Sequence, residues 1–159
     1  MSLNEYRNIR PFKMGLGNFN GITILNINEG WNKGRHSLKV DFDGVGGKLT
    51  IPVRQLDTLS ENIDSKHLLF KIDVEGFEKE VIQGAHQLLE QTTKAVLIIE
   101  LVTEINGKET CHEIVNTLKS YHFDTVFKID SDNTLIKVSD FDSSADYVFF
   151  KGIVPEGIV

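Results

Sequence analysis

Asp73 and Glu75 directly follow an apolar run that ends at Ile72, and Glu100 closes a second apolar run that begins at Ala95. Carboxylates at such strand ends can orient a hydroxyl, take its proton or hold a cation. An aspartate between a strand and a helix is also an ordinary helix cap, so spacing alone leaves both roles open for Asp73. Glu104 lies beyond Glu100, where a solvated loop explains it as well as chemistry does. The glycine-rich run Gly15-Leu16-Gly17-Asn18-Phe19-Asn20-Gly21 invites a cofactor reading, with Gly17 and Asn18 as the candidate contacts. A dinucleotide fingerprint needs an apolar strand before it and a helix after it. Here Pro11 and Lys13 precede and the β-branched Ile22 to Ile27 follows, so the same run also reads as a turn between strands.

Other reactive residue types point to less. The five histidines, at 36, 67, 86, 112 and 122, show no metal-ligand spacing. His112 fits a surface position early in a helix. Cys111 is the single cysteine, which excludes an intrachain disulfide and fits a buried thiol. Trp31 sits in a loop with Asn32, Lys33, Gly34 and Arg35 that could touch substrate or pack on a sheet.

The elements that must position these residues follow from periodicity. Gly21 to Ile27, Ser37 to Phe42 and Lys48 to Val53 read as strands, the last two joined as a hairpin through Asp43 to Gly47. Asp57 opens a short helix that it can cap. His67 to Ile72 and Ala95 to Val102 are compact apolar strands of the kind found in parallel sheets covered by helices. Between them, Glu75 to Gln91 has helical spacing, with Val81, Ile82, Ala85, Leu88 and Leu89 on one face. Glu109 to Tyr121 is a further helix, with Ile114, Val115 and Leu118 inward. Phe123 to Ile129 and Tyr147 to Lys151 close the chain as strands. Alternating strands and helices define an open α/β sheet, whose ligands bind beyond the carboxyl ends of its strands. The acids lie at those ends.

Length and composition bound the rest. The 159 residues suit a single domain, with a strand and hairpin region over 1–55 and an α/β core over 56–159. Seventeen lysines and arginines against 23 aspartates and glutamates give a net charge of -6, and no basic cluster appears, which argues against a nucleic-acid partner. No apolar stretch approaches the roughly 20 residues of a membrane span, and no signal-peptide pattern opens the chain, so a cytoplasmic enzyme is expected.

The run Leu56-Asp57-Thr58-Leu59, followed by Leu69-Phe70-Lys71-Ile72-Asp73-Val74-Glu75-Gly76-Phe77-Glu78-Lys79-Glu80-Val81-Ile82-Gln83-Gly84-Ala85, closely resembles the signature of the FkbM methyltransferases. Ile82 replaces the usual leucine. The resemblance continues through Glu100 and the closing strands. It implies a class I, Rossmann-like methyltransferase sheet in the order 3-2-1-4-5-7-6. It implies methyl transfer from S-adenosylmethionine to an oxygen of a small molecule, such as a sugar or natural-product hydroxyl, with Asp73, Glu75 and Glu100 on the acceptor side. The chain departs from the family at its start: nothing in Met1 to Lys13 matches the first two strands, which carry most cofactor contacts. A non-catalytic remnant or an oligomeric interaction module is therefore the alternative reading.

That departure has a structural cost. Without those strands, Leu68 to Ile72 becomes a bare apolar edge, about 14 Å from the third strand at roughly 4.8 Å per missing position. Either an N-terminal strand moves beside it, or two copies pair or swap strands there as a homodimer.

Overall fold

The computed structural model describes residues 8–29, 36–39, 46–63 and 66–153, with the backbone alone at 61 and 62. It is an α/β structure with two sheets. The smaller comprises β1 (Gly15–Leu16), β2 (Gly21–Asn26) and β3 (Lys48–Arg54), in the order β1-β3-β2. β3 runs parallel to β1 and antiparallel to β2, with Gly21 opposite Val53 and Asn26 opposite Lys48. The glycine-rich run is thus a turn between β1 and β2. Lys48 to Val53 takes these two strands as neighbours, whereas the sequence pattern suggested a hairpin with Ser37 to Phe42. Of that expected strand, Ser37 forms a single antiparallel bridge to Asn26, while its residues 40–42 and the Trp31 loop lie outside the described residues.

The larger sheet holds β4 (His67–Ile72), β5 (Lys94–Leu101), β6 (Thr125–Ile129), β7 (Leu135–Val138) and β8 (Ala145–Lys151), in the order β4-β5-β8-β6-β7. β4 and β5 are parallel, and β8 enters antiparallel to β5. The short β7, not expected from sequence, turns back on β6 through Asp130 to Thr134. One face of β5, formed by Ala95, Leu97, Ile99 and Leu101, is fully buried. It packs against Val81, Ile82, Leu89, Ile114, Val115 and Leu118 from the helices. The opposite face carries a thinner cluster around Phe127, Val148 and Phe150. β5 therefore alternates in burial, although its sequence is apolar on both faces.

The expected helix over Glu75 to Gln91 is two helices, α1 (Glu78–Gln83) and α2 (His86–Gln91). Its start is delayed because Glu75 (φ 50°) and Gly76 (φ 97°) occupy left-handed backbone, which no right-handed helix contains. Its middle breaks at Gly84 because the small sheet crosses there. A Cβ on Gly84 would lie 1.8 Å from the Gly17 carbonyl oxygen, so only glycine permits the contact. Asp57 has a different role from the one its position suggests. It lies in a 3-10 helix (Leu56–Asn62), yet its carboxylate accepts the N–H groups of Gln87 at 3.0 Å and Leu88 at 2.9 Å. It caps α2 from across the structure.

α3 (Thr103–Asn106) and α4 (Lys108–Ser120) follow β5, with Ile114, Val115 and Leu118 inward as their spacing predicts. Among the described residues, β5 is the only strand paired with β4. Among the described residues, no N-terminal strand lies beside that edge, which was one of the two arrangements expected there. β1 instead faces β4 across a cavity of about 310 Å³, lined by Met14, Leu16, Leu56, Phe70 and Ile72. Leu69, on the face of β4 turned away from the helices, is 73% exposed.

The Gly17–Gly84 contact should tolerate no side chain. Gly84→Ala is expected to lose about 1–3 kcal/mol in urea denaturation, since a backbone carbonyl rather than a flexible side chain must move.

Candidate functional site

The chain turns sharply where β4 ends, and this turn builds the site. Val74 to Phe77 lead from the strand into α1, with Glu75 and Gly76 both at positive φ. A non-glycine residue there is uncommon and survives where its surroundings over-determine it. Three contacts do so. The buried Ser37 hydroxyl donates to the Glu75 carbonyl at 2.6 Å. The Glu78 carboxylate accepts the N–H of Val74 at 3.3 Å and that of Gly76 at 3.1 Å. Ile105 packs so close to Gly76 that an added Cβ would meet its Cγ2 at 2.6 Å.

This turn aims Asp73 and Glu75 toward Glu100 on β5. Each of the three residues contributes a carboxylate oxygen to a group lying within 4.8 Å of one another. Two neighbours join them. Lys71 donates to Asp73 at 3.3 Å and to Asp146 at 3.4 Å. Asp146 sits opposite Glu100 in the β5–β8 pairing. Neither Lys71 nor Asp146 stood out in the sequence as part of a site. Asp146 becomes visible only when the last strand inserts beside β5. Lys71 reads as an ordinary edge-strand lysine.

The electrostatics differ among the members. Burial raises the Glu100 pKa above the ordinary carboxylate value, and the charges of Asp73, Glu75 and Asp146 raise it further against the opposing pull of Lys71. Burial disfavours the charge on Lys71, but Asp146 and Asp73 outweigh it and raise its pKa. A raised carboxylate pKa at a strand end makes Glu100 a candidate proton acceptor. Three oxygens this close are also of the type that can surround a hard cation, though exposed acids often converge without one.

The other sequence candidates go elsewhere. The Gly17 N–H donates to the Arg54 carbonyl at 3.1 Å. The Asn18 amide donates to Gln83 at 2.8 Å, and its carbonyl accepts from Gln55 at 3.1 Å. Both residues seat the small sheet against the far end of α1, and the structure does not bring them to the acids. Glu104 accepts from Thr103 and Ser144 in a separate exposed cluster, and hydrogen bonding lowers its pKa. His112 faces Asp140 and Phe141. Cys111 is buried, and desolvation raises its pKa to about 11. No helix among the described residues is long and apolar enough to cross a membrane.

A comparison with protein families gives a match. The model of the methyltransferase FkbM domain matches residues 8–125 of the 159. The chain belongs to the FkbM methyltransferase family. Neither the curated proteins nor the solved structures compared with it give a match.

Glu100 gives the site a stability signature. Its folded pKa lies above its unfolded value, so the native state holds its proton over a wider pH range. That contribution is fully present below the unfolded pKa and is lost as pH rises through the folded one. Glu100→Gln should therefore gain stability over the parent as pH rises from the carboxylate range to neutrality, with the gain vanishing in acid. Thermal melts from acid to neutral pH check the sign.

Proposed function

We propose that this chain carries the acceptor side of an S-adenosylmethionine-dependent O-methyltransferase, and that Glu100 takes the proton from the acceptor hydroxyl. The observation that carries the reading is the convergence of Asp73, Glu75 and Glu100 at the carboxyl ends of β4 and β5. The strand order β4-β5-β8-β6 also supports it, because it follows the 4-5-7-6 portion of the class I methyltransferase sheet.

The donor set suits the chemistry in one respect. Three carboxylates and Asp146, offset by the single ammonium of Lys71, leave a net negative charge that favours a nearby sulfonium. When bound, the methyl donor supplies an electrophilic carbon on a good leaving group, so methyl transfer needs an oxygen held in line with it. The chain supplies that alignment. Asp73 and Glu75 accept hydrogen bonds from the acceptor, and Glu100 removes the hydroxyl proton as the new oxygen–carbon bond forms. Lys71 keeps Asp73 and Asp146 apart from the reacting proton by holding both. The acceptor is a small molecule with a hydroxyl, such as a sugar or natural product.

Methyl transfer from radiolabelled S-adenosylmethionine to a panel of hydroxyl acceptors tests the proposal. Glu100→Gln should lower kcat by about 10²–10⁴-fold, the usual worth of a general base. Calorimetric titration separates the readings. Absence of S-adenosylmethionine binding up to millimolar concentration would overturn autonomous catalysis and leave the non-catalytic interaction module.

We also propose that the outer edge of β4 pairs with a second copy of the chain, by strand pairing or swapping. Unpaired edges template such association unless charge, proline or a bulge blocks them. Along β4 the only exposed lysine is Lys71, and its ammonium is turned to Asp73 and Asp146. Sedimentation equilibrium should show a concentration-dependent dimer that Leu69→Lys shifts toward monomer. Because Leu69 is exposed in the single chain, that substitution leaves the core intact. A parent that stays monomeric up to millimolar concentration would refute the pairing.

A further inference from the structure

We propose that Glu78 and Asn106 are positioning residues, which together fix the separation of the β4 and β5 ends and so hold Asp73 and Glu75 against Glu100. The inference rests on reading the acid cluster as the site. Both residues are buried, Glu78 at 2% exposure and Asn106 at 6%. Acidic side chains are seldom so fully buried unless they are paired or hydrogen-bonded. Here the bonding is divided between two strand ends. One Glu78 oxygen accepts the N–H groups of Val74 and Gly76, in the turn after β4. The other accepts the Asn106 amide at 2.5 Å. The Asn106 carbonyl oxygen accepts the N–H of Val102, the residue after β5, at 3.1 Å. A chain of four hydrogen bonds thus runs from the acid-bearing turn to the residue two beyond Glu100.

Each atom in this chain has one workable role. A carboxylate only accepts, so Asn106 must present its NH₂ to Glu78 and its oxygen to Val102. Flipping the amide would set oxygen against oxygen and leave the Val102 N–H facing a donor. The bridge is therefore directional, and its direction makes it testable. Helix propensity and hydration are nearly indifferent to which residue carries the acid and which the amide, whereas the bridge is not.

Glu78→Gln sets a donor against the Asn106 donor. Asn106→Asp sets acid against acid. The double variant, Glu78→Gln with Asn106→Asp, restores complementarity in reverse. The glutamine introduced on α1 would accept from Val74 and Gly76 through its carbonyl oxygen. Its NH₂ would donate to the aspartate introduced on α3, whose second oxygen would accept from Val102.

Carboxyl-carbon NMR titration of Glu100 in the substrate-free protein reads the result. The parent should titrate above the ordinary glutamate range, because burial desolvates Glu100 and because Asp73, Glu75 and Asp146 face it, opposed by Lys71. Glu78→Gln should bring that titration down toward the ordinary range as Asp73 and Glu75 move away. The double variant should return it to the parent position. A folded Glu78→Gln with an unchanged Glu100 titration would overturn the proposal. So would a double variant that fails to restore the titration, or that fails to fold, since complementarity is then not what the pair supplies. The readout needs neither methyl donor nor acceptor, so it stands or falls apart from the enzymatic assignment.

Discussion

Like charges set the main constraint on this molecule. Two carboxylates about 4 Å apart repel by roughly 1 kcal/mol in water and several times that near a protein surface. Asp73, Glu75 and Glu100 each place a carboxylate oxygen within 4.8 Å of the others, held there by the fold and not by attraction among themselves. Several neighbouring features surround this cluster. The turn after β4 adopts left-handed backbone at two successive residues. Buried Ser37, Glu78 and Asn106 hold the surrounding peptide groups. Lys71 spans two of the acids at the rim. The polar groups at this end of the sheet oppose one repulsion, and the apolar core beneath β5 gives them a rigid base.

Much of this was legible in the sequence because it is local. The strand, turn and helix from Leu69 to Ala85 form one contiguous run, and its motif named the family that the domain match then showed. Asp73 and Glu75 lie within it, and the end of the next strand supplies Glu100. What stayed hidden needed contacts between distant segments. Asp146 joins the acids because the last strand enters beside β5 rather than at the sheet edge. Gly84 breaks a helix because the distant Gly17 crosses it. Asp57 looks like the cap of its own helix but caps α2.

Glu78 shows a different kind of concealment. An acid in the first turn of a helix is common on electrostatic grounds alone, since it complements the helix dipole. Nothing in a single sequence separates that ordinary role from a buried acceptor of three hydrogen bonds. The distinction appears only with Asn106, which sits at the end of a four-residue helix and has no pattern of its own. Gly17 and Asn18 illustrate the converse. Their glycine-rich setting suggested contact with a cofactor, and the structure shows beside it a close approach to the peptide backbone of Gly84 that no sequence pattern announced.

The position of β4 gives it two unlike sides. In a parallel pair, a strand offers alternate peptide groups to its neighbour and turns the others away. With β5 on one side and no strand among the described residues on the other, alternate amides along His67 to Ile72 point away from β5. Among the described residues, the strand that orients the acids is thus paired along one flank only. Hydrogen–deuterium exchange would see it as a comb, with slow and fast amides in alternation.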